Sequence, residues 1–91
     1  MFELTDRAAL VTGASRGIRR EVARTLAWQG ARVAVGHRAQ PEEAEAVIAE
    51  ITAEGGTAVG IAADVSDRVQ VQTMLDASLA AFGRLDVLVD V

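Results

Sequence analysis

Two glycines, Gly13 and Gly17, lie in the stretch Thr-Gly-Ala-Ser-Arg-Gly-Ile at positions 12–18 and are the residues most directly connected with a chemical role. Glycines let the backbone turn sharply and approach a bulky anion closely. A helix that begins at such a turn directs its unpaired N–H groups and the positive end of its dipole at the anion. These features favour a phosphate-binding turn, although a tight turn without a ligand would use the same glycines.

Groups suited to acid–base, nucleophilic or metal chemistry are scarce in this sequence. The chain has no tyrosine, lysine or cysteine. His37 is the only histidine, and no serine stands near it in the sequence as an evident nucleophile, so we expect no Ser-His-Asp triad. The glutamates of the second helical segment fit a solvated helix face without converging partners for a metal. We therefore expect neither a catalytic residue nor a metal site in this chain.

The composition limits the classes of partner and the location. The formal net charge is −4 and the pI is near 4.8, so a general attraction to nucleic acid or anionic lipid is not expected. The first residues do not resemble a signal peptide, and no apolar run approaches the length of a membrane span. We therefore expect a soluble, cytoplasmic chain whose residues 1–91 form one domain.

Four short apolar runs alternate with three stretches of helical spacing. The runs lie at 8–11, 32–35, 57–62 and 85–89, and their continuity is typical of strands covered on both faces. The predicted boundary residues of the helices are Gly30 for the first, Pro41 and Gly55 for the second, and Ser66 or Asp67 and Gly83 for the third. The apolar positions predicted to face the core are Ile18, Val22, Leu26, Ala44, Val47, Ile48, Ile51, Val71, Met74, Leu75, Leu79 and Phe82.

The order of these elements predicts the topology. Helices between consecutive short strands imply parallel pairing with right-handed crossovers. The predicted fold is therefore an α/β doubly wound parallel sheet with the strand order 3-2-1-4. The connections change direction between strands 1 and 4, which leaves a crevice outside their carboxyl ends, and Gly13 and Gly17 would line it.

Three segments together resemble the short-chain dehydrogenase/reductase family. They are residues 12–18 after the first strand, Ala63-Asp64-Val65 after the third, and Leu85-Asp86-Val87-Leu88-Val89 as the fourth strand. The resemblance spans nearly the whole chain and implies a Rossmann-type, dinucleotide-binding fold. Members of the family are much longer, so it covers only their amino-terminal, cofactor-binding part, and we expect the domain to be truncated after strand 4.

The resemblance also implies which residues hold the cofactor phosphates. These residues are Gly13, Ser15, Arg16, Gly17 and Ile18, of which the glycines match two of the family's three motif glycines. Arg19 stands where the third glycine normally is. A long side chain there either obstructs the pyrophosphate or pairs with it, and we expect weaker binding.

The residues after the second strand favour NADP. Family members that use NAD carry an acidic residue about 20 residues after the glycine turn, and His37 and Arg38 occupy that place here. Arg38, together with Arg16, would bind the 2′-phosphate of NADP through charge-assisted hydrogen bonds, whereas NAD is less suited. Asp64 and Val65 match the pair that contacts the adenine ring. The alternative roles are solvated surface residues for the arginines, a loop residue for His37 and a helix cap for Asp64.

The family's catalytic Ser, Tyr and Lys lie beyond the fourth strand, and this chain has Asp90 and Val91 where the family continues with Asn-Asn-Ala-Gly. The resemblance implies the NADP(H)-binding portion of an oxidoreductase that lacks its own hydride-transfer residues. One alternative is a non-catalytic assembly module in which the strand-4 edge, beside Leu85, Val87 and Val89, forms a homo-oligomer. Another is an incomplete product of an active full-length enzyme.

Overall fold

The computed structural model describes residues 4–12, 17–37, 41–62 and 68–89. The elements follow the predicted order. They are β1 (Ala8–Thr12), α1 (Gly17–Trp28), β2 (Arg32–His37), α2 (Pro41–Ala53), β3 (Thr57–Ala62), α3 (Arg68–Phe82) and β4 (Val87–Val89). The predicted boundaries agree closely, except that β2 continues to His37 and β4 begins only at Val87. The predicted caps of α3, Ser66 and Asp67, lie outside the described residues.

All strand pairs in the sheet are parallel, and the order is β3-β2-β1-β4. Within β1, Leu10 lies opposite Ala34 of β2 on one side and Leu88 of β4 on the other. The chain adds β2 and β3 outward from one edge of β1 and then crosses to the other edge for β4. This arrangement confirms the predicted doubly wound topology.

Each face of the sheet has its own apolar cluster. The cluster under α1 and α2 contains the buried residues Val11, Ala23, Ala31, Val33, Val35, Ala44, Val47 and Ile51. The cluster under α3 contains the buried residues Ala8, Leu10, Ala34, Met74 and Phe82. The central strands β1 and β2 are therefore covered on both faces, as predicted.

Some burial predictions are wrong, and position in the sheet explains them. The outer strands β3 and β4 are only partly covered, unlike β1 and β2. Ile18 is 83% exposed, because the first turn of α1 lies beyond the end of β1, and Ala23 is the buried residue of α1 instead. In α3, Leu79 is 45% exposed while the neighbouring Ser78 is buried. The Ser78 hydroxyl donates to Met74 O at 2.9 Å, so its burial leaves no unpaired hydroxyl.

The first two helices end with the same backbone motif. Gly30 after α1 and Gly55 after α2 have φ angles of +102° and +89°. In each case the glycine N–H donates to the carbonyl three residues earlier and the next N–H donates to the carbonyl five residues earlier, at 2.9–3.1 Å. This is the Schellman motif, which favours glycine at the left-handed position. The predicted glycine stops of these helices are confirmed.

Asp86 ties the amino ends of β1 and β4 together. Its backbone N–H donates to Ala8 O at 2.9 Å, and its carboxylate accepts from Ala8 N at 2.9 Å. The same carboxylate accepts from Arg84 at 2.7 and 2.8 Å and from Arg7 at 3.4 Å. The hydrogen bonds from Arg84, and then that from Ala8, lower the pKa of Asp86 from 3.8 to about 2. The pKa of Arg84 is correspondingly raised.

Within the described ranges, no helix is long and apolar enough to cross a membrane.

Two glycine variants separate backbone strain from steric crowding. A Cβ at Gly55 would meet no atom within 4 Å, whereas a Cβ at Gly30 would lie 2.9–3.1 Å from three atoms of Thr5. Gly55→Ala is therefore expected to lower the free energy of unfolding by about 1–2 kcal/mol through strain alone. Gly30→Ala is expected to lower it by about 1 kcal/mol more, because Thr5 must move. Urea denaturation measures the free energy of unfolding of both variants. Equal losses would show that Thr5 moves aside without an energetic cost.

Asp86→Asn tests the carboxylate contacts through their pH dependence. The pKa of Asp86 is lowered in the folded state, so its stabilisation is present above pH 3.8 and is lost as the pH falls toward about 2. The variant should unfold at lower urea concentration than the wild type at pH 7. This gap should shrink as the pH falls below 4, where the wild-type carboxylate takes up its proton. A gap that stays constant down to the lowest pH with a folded baseline would contradict an ionic origin.

Candidate functional site

The carboxyl ends of the four strands form one edge of the sheet. β1, β2, β3 and β4 end there at Thr12, His37, Ala62 and Val89. The topological reversal lies between β1 and β4, and ligands of doubly wound sheets bind in the crevice outside that point. The sheet therefore places the topological reversal where it was predicted.

Thr12 ends β1 at this reversal and was not assigned a site role from the sequence. The residue is buried, and its Oγ1 donates to Val89 O at 3.3 Å. This hydrogen bond joins the carboxyl ends of β1 and β4. One feature of the sequence could have indicated this role: Thr12 is a hydroxyl residue at the end of an apolar strand, directly before the first glycine of the turn.

Gly17 opens α1 at this edge. Its φ is +54°, a conformation that L side chains rarely adopt, and a Cβ there would meet no described atom within 4 Å. The backbone conformation therefore favours glycine at the start of α1. The first backbone N–H groups of α1 have no partners within the helix and are suited to an anion.

The charge of the first turn of α1 also favours an anion. That turn has no acidic residue and includes Arg19 and Arg20 in sequence, whereas α2 has Glu42 and Glu43 in its first turn. Basic residues at the positive end of a helix dipole are unfavourable unless negative charge lies nearby. Glu50 of α2 supplies part of this negative charge, because it forms an ion pair with Arg20.

His37 is the last residue of β2, so its reading as a loop residue is wrong. Its side chain is half-buried and lies beside Gly60 of β3, where the Nε2 atom is 3.7 Å from the position of a glycine Cβ. Ile48 of α2 crowds the same position at 3.2 Å. Glycine at position 60 therefore leaves room for Ile48, while a Cβ there would only reach ordinary contact distance from the imidazole ring. The buried Nδ1 atom has no hydrogen-bond partner within the part of the chain that the structure describes.

Three of the predicted site residues, Gly17, Ile18 and His37, lie on the described carboxyl edge. The other six lie outside the described residues, and they are Gly13, Ser15, Arg16, Arg38, Asp64 and Val65. Ile18 stands beside Gly17 with its side chain in solvent, which suits contact with a ligand better than the core position also predicted for it. Among described residues, no group of three or more His, Asp or Glu side chains converges to hold a metal.

Comparison with known proteins identifies the family. The family model for short chain dehydrogenases matches residues 7–91. The chain belongs to the short-chain dehydrogenase family.

The similar proteins agree with this assignment. A 3-oxoacyl-(acyl-carrier-protein) reductase of Staphylococcus aureus is 48% identical over 84 residues, which are 92% of this chain and 34% of that protein. A dehydrogenase/reductase from Sinorhizobium meliloti has a TM-score of 0.93 at 40% identity, over 96% of this chain and 34% of its own. A short-chain dehydrogenase from Burkholderia cenocepacia, solved in complex with NADP, has a TM-score of 0.89 at 46% identity. The match covers 93% of this chain and 35% of that protein. The chain thus spans about a third of the length of these short-chain dehydrogenases.

Proposed function

We propose that this chain is the NADP(H)-binding portion of a short-chain oxidoreductase. The observation that carries the proposal is the position of the amino end of α1 at Gly17, which follows β1 at the topological reversal of the sheet. A dinucleotide needs donors for its pyrophosphate at this place, and the N–H groups of the first helical turn provide them. The Burkholderia cenocepacia relative, solved with NADP, supports the choice of ligand.

The preference for NADP over NAD rests on the residues at and after the end of β2. His37 ends the strand at the carboxyl edge, and Arg38 follows it. A carboxylate at this place would repel a 2′-phosphate, whereas Arg38 and Arg16 would each donate charge-assisted hydrogen bonds to it. Guanidinium groups suit a phosphate because their donors form a planar fork.

The other contacts of the proposed site divide between the phosphates and the adenine ring. The backbone at Gly13, Ser15, Gly17 and Ile18 would hold the phosphates. Asp64 would accept a hydrogen bond from the exocyclic amine of adenine, and Val65 would pack against the ring. Ile18, which is exposed, would gain apolar contacts when the site is filled.

Bound NADPH supplies a hydride for reduction of a carbonyl group. The residues of this chain bind and orient that cofactor, but they include no tyrosine or lysine to deliver a proton to the carbonyl oxygen. We therefore propose that the 91-residue chain does not reduce carbonyl compounds by itself.

Separate titrations with NADPH and NADH test the ligand and its selectivity. The wild type should bind NADPH more tightly than NADH. Arg38→Ala should weaken NADPH binding about tenfold, because a charge-assisted hydrogen bond to the 2′-phosphate is lost, and should leave NADH binding unchanged. Calorimetry measures these affinities. Arg68→Ala is the matched control, because Arg68 is an exposed arginine at the start of α3 that no part of the proposed site includes.

Equal loss of both nucleotides in Arg38→Ala, or a preference for NADH in the wild type, would contradict the NADP assignment. Arg19→Gly restores the family's third glycine, and tighter binding of both nucleotides would locate the pyrophosphate beside position 19. If neither the wild type nor Arg19→Gly binds either nucleotide, the proposal that the chain binds NADP(H) is contradicted.

A second candidate function is assembly through the edge of β4. This strand pairs only with β1 among the described strands, and Leu88 is 51% exposed. Leu79 of α3 is also exposed, and it belongs to the helix that packs on the Leu10 face of the sheet. A sheet edge with unpaired backbone groups and exposed leucines is suited to pairing with another copy of the chain.

A proline at position 87 tests this assembly. Asp86 N donates to β1, so alternation along the strand turns the Val87 N–H toward the open edge. Val87→Pro should therefore convert an oligomer into a monomer in light scattering while the β1–β4 hydrogen bonds remain. Circular dichroism checks that the variant is folded. A wild type that is monomeric at high concentration would contradict the assembly without affecting the nucleotide proposal.

A further inference from the structure

A pocket of about 300 Å³ lies on the amino edge of the sheet, the edge opposite the proposed nucleotide site. It is formed where α1 and α2 end and where β2 and β3 begin. Its lining includes Trp28, Ala31, Ile51, Gly55 and Thr57. The proposed function makes no use of this pocket.

One part of the pocket wall is apolar. Trp28, the only tryptophan of the chain, is 61% exposed, while Ala31 and Ile51 belong to the buried core cluster. Gly55, which ends α2, also lines the pocket. An exposed indole beside a buried apolar floor offers a flat surface on which an aromatic ring can stack.

The charged groups of the lining already have partners in the protein. Arg24 donates to Glu54 at 3.3 Å, and carboxylate oxygens of two further glutamates lie within 3.3 Å of its guanidinium group. Arg32 donates to the carbonyl oxygens of Phe82 and Asp6 at 3.0 and 3.1 Å. A charged ligand would have to compete with these partners for a counter-charge, whereas a neutral ligand would not.

We propose that this pocket binds a neutral, planar, bicyclic aromatic molecule stacked on Trp28. The volume agrees with this class, because an apolar cavity of about 150 Å³ holds a single benzene ring and this one is about twice that size. A charged molecule of the same shape would have to lose its hydration without gaining a counter-charge. The proposal is independent of nucleotide binding.

Three naphthalene derivatives of matched shape test the proposal on the full chain. They are 2-naphthylmethanol, which is neutral, 2-naphthylmethylammonium and 2-naphthoate. The single tryptophan gives one indole N–H signal in a proton–nitrogen correlation spectrum, which reports on the pocket directly. The neutral compound should shift this signal saturably, and the two charged compounds should bind about tenfold more weakly.

A blocking variant provides the control. Thr57 lines the pocket and is exposed, so Thr57→Phe should fill its mouth and weaken 2-naphthylmethanol binding at least tenfold while the tryptophan signal remains. Thr52→Phe changes an exposed threonine outside the lining and should leave binding unchanged. The proposal is overturned by lack of a saturable shift, by tighter binding of either charged compound, or by equal binding in both variants. A shift that depends on protein concentration alone would assign the pocket to a second copy of the chain and would also overturn it.

Discussion

The structure depends on the double burial of β1. All five residues of this strand are buried, and it is hydrogen-bonded to a parallel strand on each side. Parallel strands with both faces covered require helices above and below the sheet, which is why α1 and α2 pack on one face and α3 on the other. Because the chain leaves β1 at its carboxyl end and must return on one face, the first turn of α1 is brought to the edge of the sheet. The location of the candidate site is thus a consequence of the burial of one strand.

The helix ends at the two edges of the sheet differ in how their backbone groups are paired. At the amino edge, α1 and α2 end in glycine motifs that pair their last carbonyl groups, and Arg32 binds the carbonyl of Phe82 at the end of α3. At the carboxyl edge, the first turn of α1 has no acidic residue to offset its dipole, whereas α2 has Glu42 and Glu43 there. The amino end of α1 therefore keeps the positive end of its dipole within a chain whose net charge is −4.

The sequence predicts the structure best where a single residue type determines the backbone conformation. Gly30, Gly55 and Gly83 end their helices at positive φ, and the alternation of apolar runs with helical segments was enough to predict the order 3-2-1-4. The sequence predicts burial less well. Periodicity indicates which face of a helix a residue lies on, but it does not indicate whether other elements cover that face along its whole length. Ile18 is in phase with Val22 and Leu26, yet it lies beyond the end of the sheet and remains exposed. The environment of His37 also required the structure, since Gly60 is remote in sequence and nothing in the local pattern connects the two.

Binding and proton transfer have different requirements. The phosphates of a dinucleotide can be held by backbone N–H groups and arginines, which need no tuned pKa. A general acid must stand within hydrogen-bond reach of the reacting oxygen. His37 is the chain's only histidine, and it ends β2, which is separated from β4 by β1. Two strand spacings amount to about 10 Å, and the ring lies farther still from the crevice, beside Gly60 of β3. Its position therefore separates the imidazole from the β1–β4 reversal.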